Sequence, residues 1–269
     1  MTNKILILII LTAIFTVGCQ TKSVSDDFNT LSAKQTEIKE EIQPEVTTTA
    51  EIQEEQFGEV LGVETEQPVE LESPVKLDYP VSFVPQAPYA VWDELHEEAC
   101  EEAAIIMVVK YFKNENLTAH TMEQGIISLA KWEEENGYEI DLTAKEAVDI
   151  IKDYFNLSAE LISEVTVETI KQELQSGSLI IVPAAGRQLG NPYFQTPGPI
   201  YHMLVIRGYD DSAGEFITND IGTKRGEAFR YKYKKLLDAI HDWNHELAKD
   251  GMTDEEIEQG GKVIISVWQ

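Results

Sequence analysis

The sequence predicts an α+β domain in which a buried N-terminal helix packs on an antiparallel sheet. Three observations predict it. Composition changes near Tyr79, where aromatics and apolar runs begin and continue to Gln269. The first half of that stretch has helical periodicity, whereas the second half has short apolar runs bounded by turn residues. Helices followed by strands, instead of the two alternating, favour an antiparallel sheet with segregated helices.

Residues 79–269 are about the right length for one domain with one core. The first strong element is a helix over 100–112, apolar on nearly every side through Ala103, Ala104, Ile105, Ile106, Met107, Val108 and Val109. Such a helix belongs in the interior. Glu97, Glu98, Glu101 and Glu102 cluster at its start, where carboxylates complement the positive end of the helix dipole. Amphipathic helices follow at 121–135, 143–155 and 166–175. Strand-like runs come next at 179–182, 201–208, 215–218 and 262–268, with 208–214 as a hairpin connection. Residues 231–245 read as a helix, and 253–258 as a short helix capped by Thr253.

Ahead of the domain, Lys4 precedes an apolar run over 5–14, long enough for a signal-peptide core and short for a membrane span. Phe15-Thr16-Val17-Gly18-Cys19 resembles the bacterial lipobox, with Thr16 at the usual Leu position. That resemblance implies a lipoprotein signal over 1–19, diacylation of Cys19, and an extracytoplasmic protein held to a membrane by two acyl chains. An ordinary secretory signal or an uncleaved anchor helix remains the alternative, and each exports the domain as well. Residues 20–78 are rich in Glu, Thr, Gln, Ser and Val with few aromatics, which predicts a disordered acidic tether.

Acidic residues outnumber basic ones by 48 to 21, for a formal charge of −27. Nucleic acids and anionic headgroups are therefore poor partners, since binding them needs clustered Lys and Arg. The acidity instead serves solubility or favours basic ligands. The two cysteines, Cys19 and Cys100, lie in contexts too different to suggest a disulfide. His241 and His245 have the i,i+4 spacing of a zinc pair on one helix face, but Asp242-Trp243-Asn244 between them lacks the Glu of a zinc protease motif. A surface pair is the better reading, so neither metal nor cofactor is expected. His96 reads as a solvated loop histidine.

Chemistry concentrates on Cys100. A thiol becomes a nucleophile as the thiolate, which a helix N-terminus and a neighbouring imidazolium both stabilise. Cys100 heads the buried helix, and His202 opens a strand about a hundred residues later, on one face of the pleat with Leu204 and Ile206. Asp220 ends the next strand and is placed to fix the His202 tautomer, with Asn219 as the reserve. Gln86, upstream, is the candidate to join the Cys100 backbone N–H in holding an oxyanion. The segment 186–199 leads into His202 and reads as a cleft-bordering loop through Tyr193 and Phe194. Lys224 and Arg225 add positive charge after Asp220. They either balance acidic neighbours or receive a carboxylate.

Gln86 before a Trp-containing loop at Trp92, Cys100 at the head of its helix, the run from Tyr201-His202-Met203 to Gly208-Tyr209-Asp210, and Thr218-Asn219-Asp220 together resemble cysteine peptidase family 39. The resemblance covers 79–269. It implies a papain-like fold of the bacteriocin-leader-peptidase type, with Cys100 as nucleophile, His202 as base and acid, Asp220 as orienting residue and Gln86 as oxyanion donor. Glu101-Glu102 stands where the family often has Gly-Pro, and Ile221 where Pro often follows the Asp. Carboxylates close to Cys100 and desolvated would raise its pKa and slow attack. The expected function is a lipid-anchored thiol peptidase that hydrolyses peptide or amide bonds. The alternatives are an inactive module binding peptides or wall fragments in the same cleft, and transfer of the acyl group to an amine.

Overall fold

A computed structural model of the chain describes residues 75–269. The predicted signal, Cys19 and nearly all of the predicted tether lie outside the described residues. The elements are β1 (Lys76–Asp78), α1 (Glu94–Glu97), α2 (Cys100–Phe112), α3 (Ala119–Asn136), α4 (Ala144–Asp153), β2 (Ser158–Ile162), α5 (Val167–Gln175), β3 (Leu179–Ala185) and α6 (Gly186–Leu189). They continue with β4 (Tyr201–Asp210), β5 (Glu215–Asn219), β6 (Phe229–Lys232), α7 (Tyr233–Ala239), α8 (Asp254–Ile257) and β7 (Ile264–Trp268).

The strands form one antiparallel sheet in the order β2-β7-β3-β4-β5-β6, and β1 pairs with the far end of β4. Strand β4 is therefore the central stave. Its first half pairs with β3, its second half with β5, and β1 takes over beside Gly208–Asp210. Gly208 is required there, because a Cβ would lie 2.1 Å from Leu77 O. The sheet thus begins at Lys76, ahead of the compositional boundary at Tyr79.

Both faces are covered. Met203 and Val205 of β4 and Ile181 of β3 meet the apolar surface of α2, α3 and α4. Leu204, Ile206, Ile180 and Val182 point the other way, against Ile170 and Leu174 of α5 and Leu236 and Ala239 of α7. The period-two alternation of strands makes this double burial, and it explains why these strands read as continuous apolar runs. Helix α2 is buried from Cys100 to Val109 and packs on β4 and α3. Its small residues Ala103 and Ala104 are fully buried. Thr118 and Thr143 build capping boxes at the starts of α3 and α4.

Three expectations are corrected. Residues 231–245 are not one helix: Phe229–Lys232 form β6, α7 ends at Ala239, and Ile240 bridges back to Ala184. Here cross-strand pairing prevails over local periodicity, with Phe216 opposite Tyr231 and Thr218 opposite Phe229. His241 and His245 consequently share no helix face. His245 contacts Glu146 and Glu139, and His241 Nδ1 lies 3.3 Å from Gly260 O. His96 is buried and bridges Asp93 Oδ1 at 2.6 Å and Glu123 Oε2 at 3.0 Å. Strand β2, which sequence reading passed over, is a short, half-exposed edge strand beside β7, and its polar content gave little alternation.

Candidate active site

Helix α2 begins at Cys100, so the thiol sits at the end where unsatisfied backbone N–H groups favour negative charge. Burial leaves Cys100 6% exposed. Its Sγ accepts a hydrogen bond from Met203 N at 3.3 Å and donates its own proton to Glu101 Oε2 at 2.9 Å. The residue beside Met203 is His202, so one step of β4 delivers both a backbone donor to the sulfur and an imidazole to the same cavity.

His202 Nε2 is 2.9 Å from Asp220 Oδ1. Asp220 is fully buried, and its Oδ2 accepts from Asn191 Nδ2 at 2.8 Å and from the Tyr231 hydroxyl at 2.5 Å. Gly222 N adds a contact to Oδ1 at 3.3 Å. Burial pushes the Asp220 carboxyl up, but the His202 charge and the hydrogen bonds from His202, Tyr231 and Asn191 outweigh it and hold the pKa below the ordinary value. An ionised Asp220 places the proton on Nε2 and leaves Nδ1 for proton exchange. Phe194 meets the His202 ring edge-on at 5.4 Å between centroids.

The adjacent Asn219 turns to the opposite face. Its Nδ2 donates to Val81 O at 3.2 Å and Met107 Sδ at 3.3 Å, and its Oδ1 accepts from Ala228 N. Strand alternation therefore brings Asp220, and not Asn219, to His202. Asn191 and Tyr231 were not singled out from sequence. The Gly-Asn-Pro turn was a local hint for Asn191, but Tyr231 lay in the segment misread as helix.

A cavity of about 590 Å³ opens over these groups, lined by Gln86, Trp92, Cys100, Phe194, His202 and Trp243. The loop expected to border the cleft does so through Tyr193, Phe194 and Gln195. Lys224 also lines the cavity, while the Arg225 guanidinium stacks over Tyr193 at 4.9 Å. Gln86 is buried, and its Nε2 donates to His96 O at 2.9 Å and Glu97 O at 3.2 Å. Among the described residues its Oε1 is buried without a hydrogen-bond partner. Both amide hydrogens are thus engaged with the turn ahead of α2.

The carboxylates after Cys100 are close and desolvated. Glu101 is fully buried, and burial with the charge of Asp141 pushes its pKa up to about 8. Glu102 is pushed well up by burial and by Glu133, whose own pKa burial raises to about 7. Burial and then the Glu101 charge raise the Cys100 thiol well above its ordinary value. Among the described residues, no group of three or more His, Cys, Asp or Glu side chains could hold a metal ion. A thiol, an imidazole with one nitrogen fixed by a carboxylate, and an adjoining cavity make up the parts of acyl transfer.

Comparison with known proteins gives one family. The model described as the Peptidase_C39 like family matches residues 79–246. No curated protein matches the chain. Among solved structures, the chain is similar to a crystal structure described as that of a C39-like peptidase from Bacillus anthracis. The identity is 13%, the match covers 72% of this chain and 98% of that one, and the TM-score is 0.45.

Proposed function

The chain belongs to the Peptidase C39 like family, and on that premise we propose that it is a thiol peptidase acting through Cys100, His202 and Asp220. The observation that carries the reading is the 2.9 Å contact of His202 Nε2 with Asp220, in a residue that lines the same cavity as Cys100. His202 Nδ1 takes the Cys100 proton, and the thiolate attacks the carbonyl carbon of a peptide or amide. The tetrahedral intermediate collapses as His202 returns the proton to the leaving amine. Water, deprotonated by His202, then hydrolyses the thioester and restores the thiol. Asp220 stays ionised and holds the ring. The Cys100 backbone N–H supports the oxyanion, joined by Gln86 once its amide releases a carbonyl.

Glu97, Glu98 and Asp141 line the cavity, which favours substrates with basic side chains. The reading also places the domain outside the cytoplasm, held to a membrane through acylated Cys19. That part rests on Lys4, the apolar run and Val17-Gly18-Cys19. Full-length chain digesting a mixed peptide library, with Cys100→Ala inert, is the expected result. Equal digestion by the Cys100→Ala variant overturns the assignment. Accumulation of the precursor under a lipoprotein signal-peptidase inhibitor tests the anchor.

A second reading, a peptide-binding pseudopeptidase, is favoured by the thiol hydrogen bond that Cys100 donates to Glu101 and by the occupied amide of Gln86. Peptide binding by the wild type without turnover at any pH would select it.

A further inference from the structure

We propose that Glu101 serves the reaction as a neutral carboxylic acid, donating its O–H from Oε2 to the Cys100 thiolate, and that its ionised form holds Cys100 as an unreactive thiol. The inference deepens the peptidase reading and rests on it. Leu142 N donates to Oε1 at 3.2 Å, so Oε1 is committed as an acceptor. The proton of a neutral Glu101 therefore belongs on Oε2, which lies 2.9 Å from Cys100 Sγ. With Met203 N on the same sulfur at 3.3 Å, the thiolate gains two donors.

In the ionised form the same contact runs in reverse. Oε2 accepts the thiol proton, and removing that proton would place two negative charges side by side in a buried site. In the neutral form the thiol proton passes to His202 Nδ1, Glu101 keeps its own proton, and the reacting pair becomes thiolate and imidazolium. A carboxylic acid kept neutral by its surroundings so that it can donate a hydrogen bond is a recognised catalytic device.

Burial and the charge of Asp141 favour the neutral form of Glu101 and outweigh the hydrogen bonds from Cys100 and from backbone N–H groups, Leu142 N among them, which favour the ionised form. Cys100 and Glu102 neighbour it on α2, and Asp141 approaches from the segment before α4. From β4 comes Tyr201, whose hydroxyl donates to Leu142 O, while the neighbouring His202 lines the cavity beside Cys100. Asp141 is itself acted on by Glu98 and His245, and Tyr201 by Asp242. With a pKa of about 8, Glu101 is mainly protonated at neutral pH and mainly ionised one unit above that value.

The test is the rate at which iodoacetamide labels Cys100 in the full chain between pH 5 and 10. In Glu101→Gln, Leu142 N orients the amide so that Nε2 takes the place of the acid O–H at every pH. The expected result is labelling within about twofold of wild type at pH 6 and about tenfold faster than wild type at pH 9, the ratio that ionisation one unit above the pKa implies. Glu101→Ala, with no donor, labels about tenfold more slowly than Glu101→Gln at both pH values. A Glu101→Gln variant no faster than wild type at pH 9 overturns the proposal, and so does Glu101→Ala equal to Glu101→Gln. If the alanine variant fails to fold, the pH 9 comparison decides alone. Hydrolysis is scored separately. Labelling that follows the pattern without any turnover leaves the role of Glu101 standing and removes the peptidase reading, whereas Cys100-dependent hydrolysis with a constant labelling ratio does the reverse.

Discussion

His202 Nε2 sits 2.9 Å from Asp220 Oδ1, while the other Asp220 oxygen is held by Asn191 and Tyr231. The carboxylate is thus fixed on both sides before it fixes the imidazole. Asp220→Asn retains the shape but presents an N–H or a weaker acceptor to Nε2, which favours the wrong tautomer. A loss of about 10²- to 10⁴-fold in kcat/KM is expected, with little change in KM. Tyr231→Phe removes one of two donors to Oδ2 and should cost activity less. Steady-state kinetics of both variants on one peptide checks the order.

Gly222 is a second point of close fit. A Cβ there would lie 2.9 Å from His202 Cε1 and 3.0 Å from Phe194 Cε1, too near for either ring to remain in place. Gly222→Ala should displace the imidazole and lower kcat/KM at least about tenfold, because small misplacements of reacting groups are costly. Overpacking of this kind costs about 1 to 3 kcal/mol, so stability should fall by that much while the fold is kept. Near-native urea denaturation alongside the kinetic loss is the signature; intact activity would show that the ring tolerates the shift.

Gln86 ties the segment before α2 together through His96 O and Glu97 O. Gln86→Ala strands both carbonyls in a buried site and should cost about 1 to 3 kcal/mol of stability. Urea denaturation measures it. An unchanged midpoint accompanied by a fall in kcat would instead mark Gln86 as an oxyanion donor with no structural share.

Much of this site was legible because each candidate residue leaves a local mark. Cys100 stands where a largely apolar helix begins, and His202 opens a strand whose neighbours are apolar at every second residue. Asp220 ends the next strand, one step from Asn219, and alternation alone said that only one of the two could face His202. What sequence could not give is burial and partner. His96 looked like a loop histidine because nothing local reveals that Glu123 of α3 reaches it. Tyr231 was lost because Tyr231-Lys232-Tyr233-Lys234 fits a strand and a helix equally well, and only the pairing with Phe216 decides. Glu101 and Glu102 could be seen beside Cys100, but their effect depends on desolvation, which the fold supplies.

The same carboxyls predict how stability varies with pH. Burial raises Glu101 to about 8 and Glu133 to about 7, from an ordinary 4.5, and raises Asp141 and Asp242 to about 6, from 3.8. Between each ordinary value and the raised one, the folded state binds more protons than the unfolded state, so stability falls as pH rises. Asp220 acts with the opposite sign: its lowered pKa stabilises the fold above its ordinary 3.8 and loses that contribution as the pH drops below it. The two trends together place the highest Tm near the ordinary carboxyl values, about pH 4, with a steady decline from there to about pH 8. Glu133→Gln keeps the side chain's shape and removes one of the raised groups, so it should flatten the decline above about pH 5. Thermal unfolding followed by circular dichroism from pH 2.5 to 9 reads both slopes, and a Tm that climbs steadily from pH 5 to 8 would show that these buried carboxyls ionise as freely in the folded chain as in the unfolded one.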